Sequence, residues 1–272
     1  MADMTHPFLE AYDVFLVDID GVLVRGAEPI PDAPAAVAEL VDAGRVLLLT
    51  NNSTRSRAQH AARLCELGFP IEPDQILPSS YLAATHLRDE YGSLSVWVVG
   101  EQGLRDELTA AGHSLASSPE GAAALVVGMD RAIDYDGLAA ALAALQGGAR
   151  FIATNEDRTF PVPGAVLPGA GAMVGALRGM GFAPDVVIGK PSPIAYRIVL
   201  RDLDVDPKRV VMIGDRLETD IAGGIAAGID TALVLSGISA LEDVDRSGIR
   251  PTWVVDDIAA LVRGEATRPD VA

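Results

Sequence analysis

Cysteine is almost missing from this 272-residue chain. Cys65 is the only one, so an internal disulfide is impossible. That excludes a disulfide-stapled scaffold and fits a cytoplasmic protein, where thiols stay reduced. Lysine is nearly as scarce, confined to Lys190 and Lys208. The four histidines, His6, His60, His86 and His113, are scattered and show no metal-ligand spacing. No apolar run reaches transmembrane length. The first six residues lack a basic stretch leading into a hydrophobic one, so no secretory signal is visible. Basic charge is heavily outweighed, 21 Lys and Arg against 38 Asp and Glu, for a formal net charge of −17. Such a surface disfavours a nucleic-acid backbone or an anionic membrane as partner. The acidic excess is compatible with a high-salt source, and a GC-rich codon bias would give the same shortage of lysine.

What the chain does have is a hydrophobic content of 49%, enough for a substantial core. Short apolar runs at 14–17, 46–49, 95–99, 124–128, 150–153, 186–188, 210–213, 231–235 and 252–255 read as buried strands. Ala/Leu-rich helical patterns lie between them, near 33–43, 55–67, 79–91, 102–111, 136–146, 170–180, 192–203, 217–227 and 256–263. Gly44, Gly68, Gly92, Gly112, Gly181 and Gly228 follow six of these, as C-terminal caps do. This βα rhythm predicts parallel sheets. Cys65 falls within a helical pattern and is expected to pack in the core. From about Gly264 the chain reads as a frayed tail.

Four strand ends carry polar clusters. Val14-Phe15-Leu16-Val17 runs into Asp18-Ile19-Asp20-Gly21-Val22. Ligands of open α/β sheets bind off the carboxyl ends of strands, and Gly21 lets the chain turn away there. Two carboxylates at such a bend can approach one substrate, one attacking while the other moves a proton. The same residues also read as a plain acidic turn. Val46-Leu47-Leu48-Leu49 runs into Thr50-Asn51-Asn52-Ser53. Hydroxyls, amides and the N–H groups of a helix start can hold phosphate oxygens, and Ser53 or Thr54 also suits a helix cap near Arg55. Val186-Val187-Ile188 runs into Gly189-Lys190-Pro191-Ser192-Pro193. A lysine kept where arginine is otherwise used suits a compact point charge, and the prolines suit a helix entry. Val210-Val211-Met212-Ile213 runs into Gly214-Asp215-Arg216-Leu217-Glu218-Thr219-Asp220. Asp215 can bind a hard cation with Asp220 in support, or these acids simply serve the helix start.

With these four clusters in this order and spacing, the chain resembles the haloacid dehalogenase superfamily of phosphotransferases over nearly its whole length. The residues that carry the likeness are Asp18-x-Asp20-Gly21, Thr50-Asn51, Lys190-Pro191 and Gly214-Asp215-x-x-x-Thr219-Asp220. Thr50-Asn51-Asn52-Ser53, Thr154-Asn155-x-Asp157-x-x-Phe160-Pro161 and Pro168-Gly169-x-Gly171 make it most similar to the subfamily of 4-nitrophenylphosphatases and nucleotide monophosphatases. The resemblance implies an α/β fold, a Rossmann-like parallel-sheet core with an inserted α/β cap domain. The motifs fall in the two ends of the chain, so the core is expected over 1–81 and 179–272 and the cap over 82–178. The cap would exclude water and contact substrate.

The resemblance also implies a mechanism. Asp18 would be the nucleophile on a small phosphomonoester, forming an aspartyl-phosphate, and Asp20 the general acid and base. Mg²⁺ would be held by Asp18, the Asp20 carbonyl and Asp215, with Asp220 outside them. Thr50, Asn51 and Lys190 would bind phosphate, and Asn155 and Asp157 would meet the leaving group, although by residue type alone the same two equally read as a hydrogen-bonded turn closed by Pro161. Sugar phosphates, glycerol phosphate and nucleoside monophosphates all fit such a site, and the family also admits a homo-oligomer. A dehalogenase would lack Asp20 and need no metal. A phosphomutase could use the same core, and a silent small-molecule-binding module would have lost a catalytic residue, of which none is missing here.

Overall fold

The computed structural model describes residues 7–269 apart from 163, 202 and 204. The first six and last three residues, which bear on the expected lack of a signal and the expected frayed tail, lie outside the described residues, as does one position of the helix anticipated over 192–203. The chain divides into two compact units. One comprises 1–49, 61–76 and 199–272, the other 50–60 and 77–198.

The first unit is built on apolar runs too hydrophobic to tolerate a wet face. Val14–Val17 and Val210–Gly214 are buried at every position, which suits parallel strands covered on both sides. The sheet order is Trp253–Val255, Asp230–Val234, Val210–Gly214, Val14–Val17, Arg45–Thr50, Ile76–Pro78. Val14–Val17 pairs in parallel with Val210–Gly214 on one side and with Arg45–Thr50 on the other. From this central strand the chain first steps to one side and later returns to build the other. The strand order therefore reverses between Val14–Val17 and Val210–Gly214, and the crevice at such a switch point is where doubly wound sheets bind ligands.

Register places Phe15 beside Val46 and Val211, and Val17 beside Leu48 and Ile213. These side chains share one hydrophobic cluster with Ala36, Val37 and Leu40 of the helix Ala33–Ala43 and with Ile258 and Leu261 of the helix Ile258–Arg263. A fully buried Phe15 alone is worth about 3–5 kcal/mol against alanine.

Gly44 caps the helix Ala33–Ala43 as expected, its N–H donating to the Leu40 carbonyl, but not in the left-handed conformation. Its φ is −176°, and glycine is needed instead because a Cβ would meet the Asp13 carbonyl. Gly68, Gly92, Gly112, Gly181 and Gly228 do take positive φ. The short helix Pro7–Ala11 escapes sequence periodicity, yet Phe8 anchors it against the rings of Tyr12, Phe15 and Trp253. The Tyr12 hydroxyl donates to Asp230 at 2.6 Å and accepts from the Trp253 indole at 2.8 Å. Burial, followed by the hydrogen bond to Asp230, raises the Tyr12 pKa well above its ordinary value. The tail expected from Gly264 is pinned at Thr267, whose backbone pairs with Val254 in both directions at 2.9 and 2.8 Å.

The second unit has its own parallel sheet, ordered Val186–Val187, Arg150–Ala153, Ala124–Val127, Ser95–Val99, Ser114–Leu115. The helices Tyr135–Gln146 and Ala170–Gly179 close its core through Ala141, Ala144, Val174 and Leu177. An antiparallel hairpin, Thr159–Val162 with Ala165–Pro168, was not foreseen, because its outer strand alternates with nothing buried. Among the described residues no helix is long and apolar enough to cross a membrane.

Candidate active site

The ladder at the switch point continues one residue past the first strand, where the Asp18 N–H donates to the Ile213 carbonyl at 2.9 Å. Asp18 thus leaves the sheet beside the end of Val210–Gly214, which delivers Asp215 two positions after Ile213. The chain then turns tightly: the Ile19 carbonyl accepts from the N–H groups of Leu23 and Val24, and the Gly21 N–H donates to Val24. Gly21 has a φ of +95°, and a Cβ there would overlap the Asp215 carboxylate, so both backbone and space demand glycine. Asp20, half-buried, stands in this turn, its backbone bridged to Val24.

Asp215 is wholly buried. One carboxylate oxygen accepts the Ile238 N–H at 2.8 Å, and its backbone carbonyl accepts the Ser239 N–H at 3.0 Å. Ser239 Oγ in turn accepts the Leu217 N–H, and Ser236 Oγ donates to the Gly21 carbonyl at 2.7 Å. A Cβ on Gly237 would overlap Asp215 as well. The loop Ser236-Gly237-Ile238-Ser239 therefore grips both aspartate-bearing turns. Asp220 sits in a single π-helical turn, Leu217–Ile221, and one carboxylate oxygen accepts the Arg216 N–H at 3.0 Å. Gly214 makes room for the Asp220 side chain.

Asp18, Asp215 and Asp220 are all buried, and each offers a carboxylate oxygen within 4.8 Å of the others. Like charges at that spacing repel by roughly 3 kcal/mol per pair at an effective dielectric of 20. An oxygen-only, buried and strongly anionic donor set fits a hard divalent cation such as Mg²⁺ and gives nothing to a soft metal. Asp220, expected outside the metal ligands, stands within this trio, whereas the Asp20 carboxyl does not.

In the second unit the polar groups converge on Asn51. Its side-chain nitrogen donates to the Lys190 carbonyl at 2.9 Å and to the two Asp157 carboxylate oxygens at 3.1 and 3.2 Å. Its backbone carbonyl accepts from Asn155 Nδ2 and from Ser79 Oγ, both at 2.7 Å. Asn155 Oδ1 accepts the Asp157 N–H at 3.1 Å. Thr50 is buried, and its hydroxyl oxygen accepts the Asn52 N–H at 3.1 Å. Lys190 is buried too, and its bond to Pro191 is cis. Gly189 leaves space for the Asn51 carboxamide, which a Cβ would meet.

The family is decided by sequence. The haloacid dehalogenase-like hydrolase model matches residues 15–114, and a second, HAD-hydrolase-like, matches residues 187–261. A 5'-nucleotidase, YutF, of Bacillus subtilis is 36% identical over 92% of this chain and 97% of its own length. The chain belongs to the haloacid dehalogenase-like hydrolases. A dihydroxyacetone phosphatase of Corynebacterium glutamicum is 37% identical, over 91% of this chain and 90% of that one. The crystal structure of the glycerol phosphate phosphatase Rv1692 of Mycobacterium tuberculosis, in complex with magnesium, superposes with a TM-score of 0.87. It is 33% identical and covers 94% of this chain and 78% of the other. The parallel-sheet α/β fold of this hydrolase is the one the βα rhythm predicts.

Other expectations need correcting. The helix after Thr50-Asn51 spans Arg57–Glu66, and the side chain that bonds its first-turn N–H is Ser56, not Ser53 or Thr54. Ser56 and Gln59 bond each other's backbone N–H reciprocally. Asn52 Oδ1 instead takes both the N–H and the hydroxyl of Thr54. Cys65 is exposed, because His60, Ala61 and Leu64 form the inward face of that helix. Ser79 and the 236–239 loop were missed. Both follow strand ends, Ile76–Pro78 and Asp230–Val234, which is the signal that could have found them.

Proposed function

We propose that this hydrolase is a Mg²⁺-dependent phosphatase of small phosphomonoesters, working through an aspartyl-phosphate on Asp18. The observation that carries the proposal is the buried trio Asp18, Asp215 and Asp220 at the switch point of the sheet. A carboxylate nucleophile set among other carboxylates needs its charge offset before it can approach an anionic ester. When bound, Mg²⁺ supplies that offset and polarises the phosphoryl oxygens. Asp18, Asp215 and the Asp20 carbonyl would hold it, and the position of Asp220 adds a further carboxylate oxygen to the set.

In the first half-reaction an Asp18 carboxylate oxygen bonds to phosphorus and the ester P–O bond breaks. Asp20, half-buried and outside the trio, gives its proton to the departing oxygen. In the second, a water bonds to phosphorus while Asp20 takes its proton, the acyl-phosphate P–O bond breaks, and Asp18 is restored with inorganic phosphate released. Thr50, Asn51 and Lys190 hold phosphate oxygens through hydroxyl, N–H and ammonium donors. The insert 82–178 acts as the cap that restricts entry to small metabolites. Sugar phosphates, glycerol phosphate and nucleoside monophosphates are the substrate class, consistent with relatives named a nucleotidase, a dihydroxyacetone phosphatase and a glycerol phosphate phosphatase. A single cysteine suits a cytoplasmic enzyme.

The test is phosphate release from a metabolite panel with and without Mg²⁺. Turnover of several small esters that stops in exhaustive chelator is expected. No release from any ester with Mg²⁺ present, or full activity in chelator, overturns the proposal.

A further inference from the structure

We infer that Asn155 and Asp157 are positioning residues for phosphate binding, and that they do not select the leaving group. The inference rests on the phosphatase activity proposed above and reassigns the two residues within it. The hub is Asn51. A carboxamide nitrogen has two protons to donate. Here one is directed at the Lys190 carbonyl and the other between the two oxygens of Asp157. Flipping the amide would set its oxygen against a carbonyl and a carboxylate, so the network admits one orientation. Asn155 completes the frame from the other side. Its Nδ2 holds the Asn51 carbonyl and its Oδ1 holds the Asp157 N–H.

Asn155 is only 3% exposed, and both ends of its amide are engaged. A substrate hydroxyl is kept from it by this burial and would have to compete with these bonds. What the frame fixes is the backbone on each side of two phosphate-binding side chains: Asn51 follows Thr50 directly, and the Lys190 carbonyl is held through the Asn51 amide. Oxyanion stabilisation depends on donors being aimed before the charge arrives. A frame of part-buried hydrogen bonds, charge-assisted where Asn51 meets Asp157, keeps them so.

Charge and positioning make opposite predictions for Asp157. A carboxylate repels phosphate, so its removal by charge alone would tighten phosphate binding. Loss of the frame would weaken it. The experiment measures inhibition by inorganic phosphate of 4-nitrophenyl phosphate hydrolysis, and kcat/KM across alkyl phosphates, for the wild type, Asp157→Ala, Asp157→Asn and Asn155→Ala. Thermal melting confirms that each variant is folded. Asp157→Ala is expected to raise the phosphate inhibition constant about tenfold, as loss of a charged hydrogen bond does. It should lower kcat/KM by one common factor on every ester. Asp157→Asn keeps an acceptor oxygen for Asn51 and should stay within about threefold of the wild type. Asn155→Ala leaves Ser79 on the Asn51 carbonyl and should show the same uniform pattern at about threefold, which tests the frame even if Asp157→Ala does not fold. Unchanged or tighter phosphate binding in the alanine variants, or losses that differ between leaving groups, overturns the inference. A wild type that hydrolyses no ester would fail the underlying activity instead, and that outcome is read without any variant.

Discussion

Replacing Gly237 by alanine should loosen the metal site without unfolding the enzyme. A Cβ at this position would overlap the Asp215 carboxylate, one of whose oxygens accepts the Ile238 N–H at 2.8 Å. Gly237 lies outside the positive-φ region, unlike Gly21 at +95°. Alanine is therefore acceptable to the backbone at 237, and the perturbation is purely steric. The carboxylate must move, and moving it weakens a charged hydrogen bond worth about 1.5–3 kcal/mol. The Mg²⁺ concentration for half-maximal activity should then rise on the order of 10- to 100-fold. Global stability should respond less. Overpacking costs about 1–3 kcal/mol, while exchanging glycine for alanine recovers about 0.4–1 kcal/mol by restricting the unfolded chain. Mg²⁺ titration of phosphate release, calorimetric Mg²⁺ binding and urea unfolding in chelator separate the two effects. Wild-type Mg²⁺ affinity in a folded Gly237→Ala enzyme would refute the argument that the 236–239 loop sets the position of Asp215.

Asp18→Asn should abolish turnover while leaving the melting temperature within a few degrees of the wild type. An amide cannot serve as the nucleophile, and a near-normal rate after excluding deamidation would end the covalent route. Asp20→Asn should slow alkyl phosphate hydrolysis by about two to four orders of magnitude, and 4-nitrophenyl phosphate far less, since nitrophenolate departs unprotonated. Equal losses on the two substrates would remove the acid role. Burial and the bond to Asp230 raise the Tyr12 pKa, so the neutral phenol is favoured in the folded state. The stability it contributes is whole below its ordinary pKa of 10.0 and is lost as pH rises from there toward the raised folded value. Tyr12→Phe should cost about 1–2 kcal/mol at neutral pH and flatten the alkaline decline in urea-unfolding stability, and an unchanged slope would contradict the assignment.

The regular elements were legible because each carries a complete local signal. Val14–Val17 is wholly apolar, Ser95–Val99 and Arg150–Ala153 are apolar after their first residue, and Ala33–Ala43 and Ser79–Tyr91 end at a glycine. The carboxylates were legible because they stand directly after such runs. The remainder depends on groups distant in sequence. Nothing near Ser236 foretells its hydroxyl bonding to Gly21, and nothing near Asp157 foretells that Asn51 occupies its carboxylate. Asp220 was expected to support the cation from outside its ligands. The π-helical turn at Leu217–Ile221 sets its carboxylate within 4.8 Å of those of Asp18 and Asp215. The exposed Cys65 shows the converse limit, where residue type suggested a role that one turn of helix overrode.

The pairing of Val14–Val17 with Val210–Gly214 joins segments roughly 200 residues apart. On the ribosome, the strand bearing Asp18 therefore emerges long before the neighbour that delivers Asp215 and Asp220. The carboxylate trio cannot exist in a nascent or prematurely terminated chain, so a fragment ending before residue 210 would be unable to gather divalent metal at this place however well its earlier helices formed. Assembly of the trio is in this way deferred until the neighbouring strand has been made.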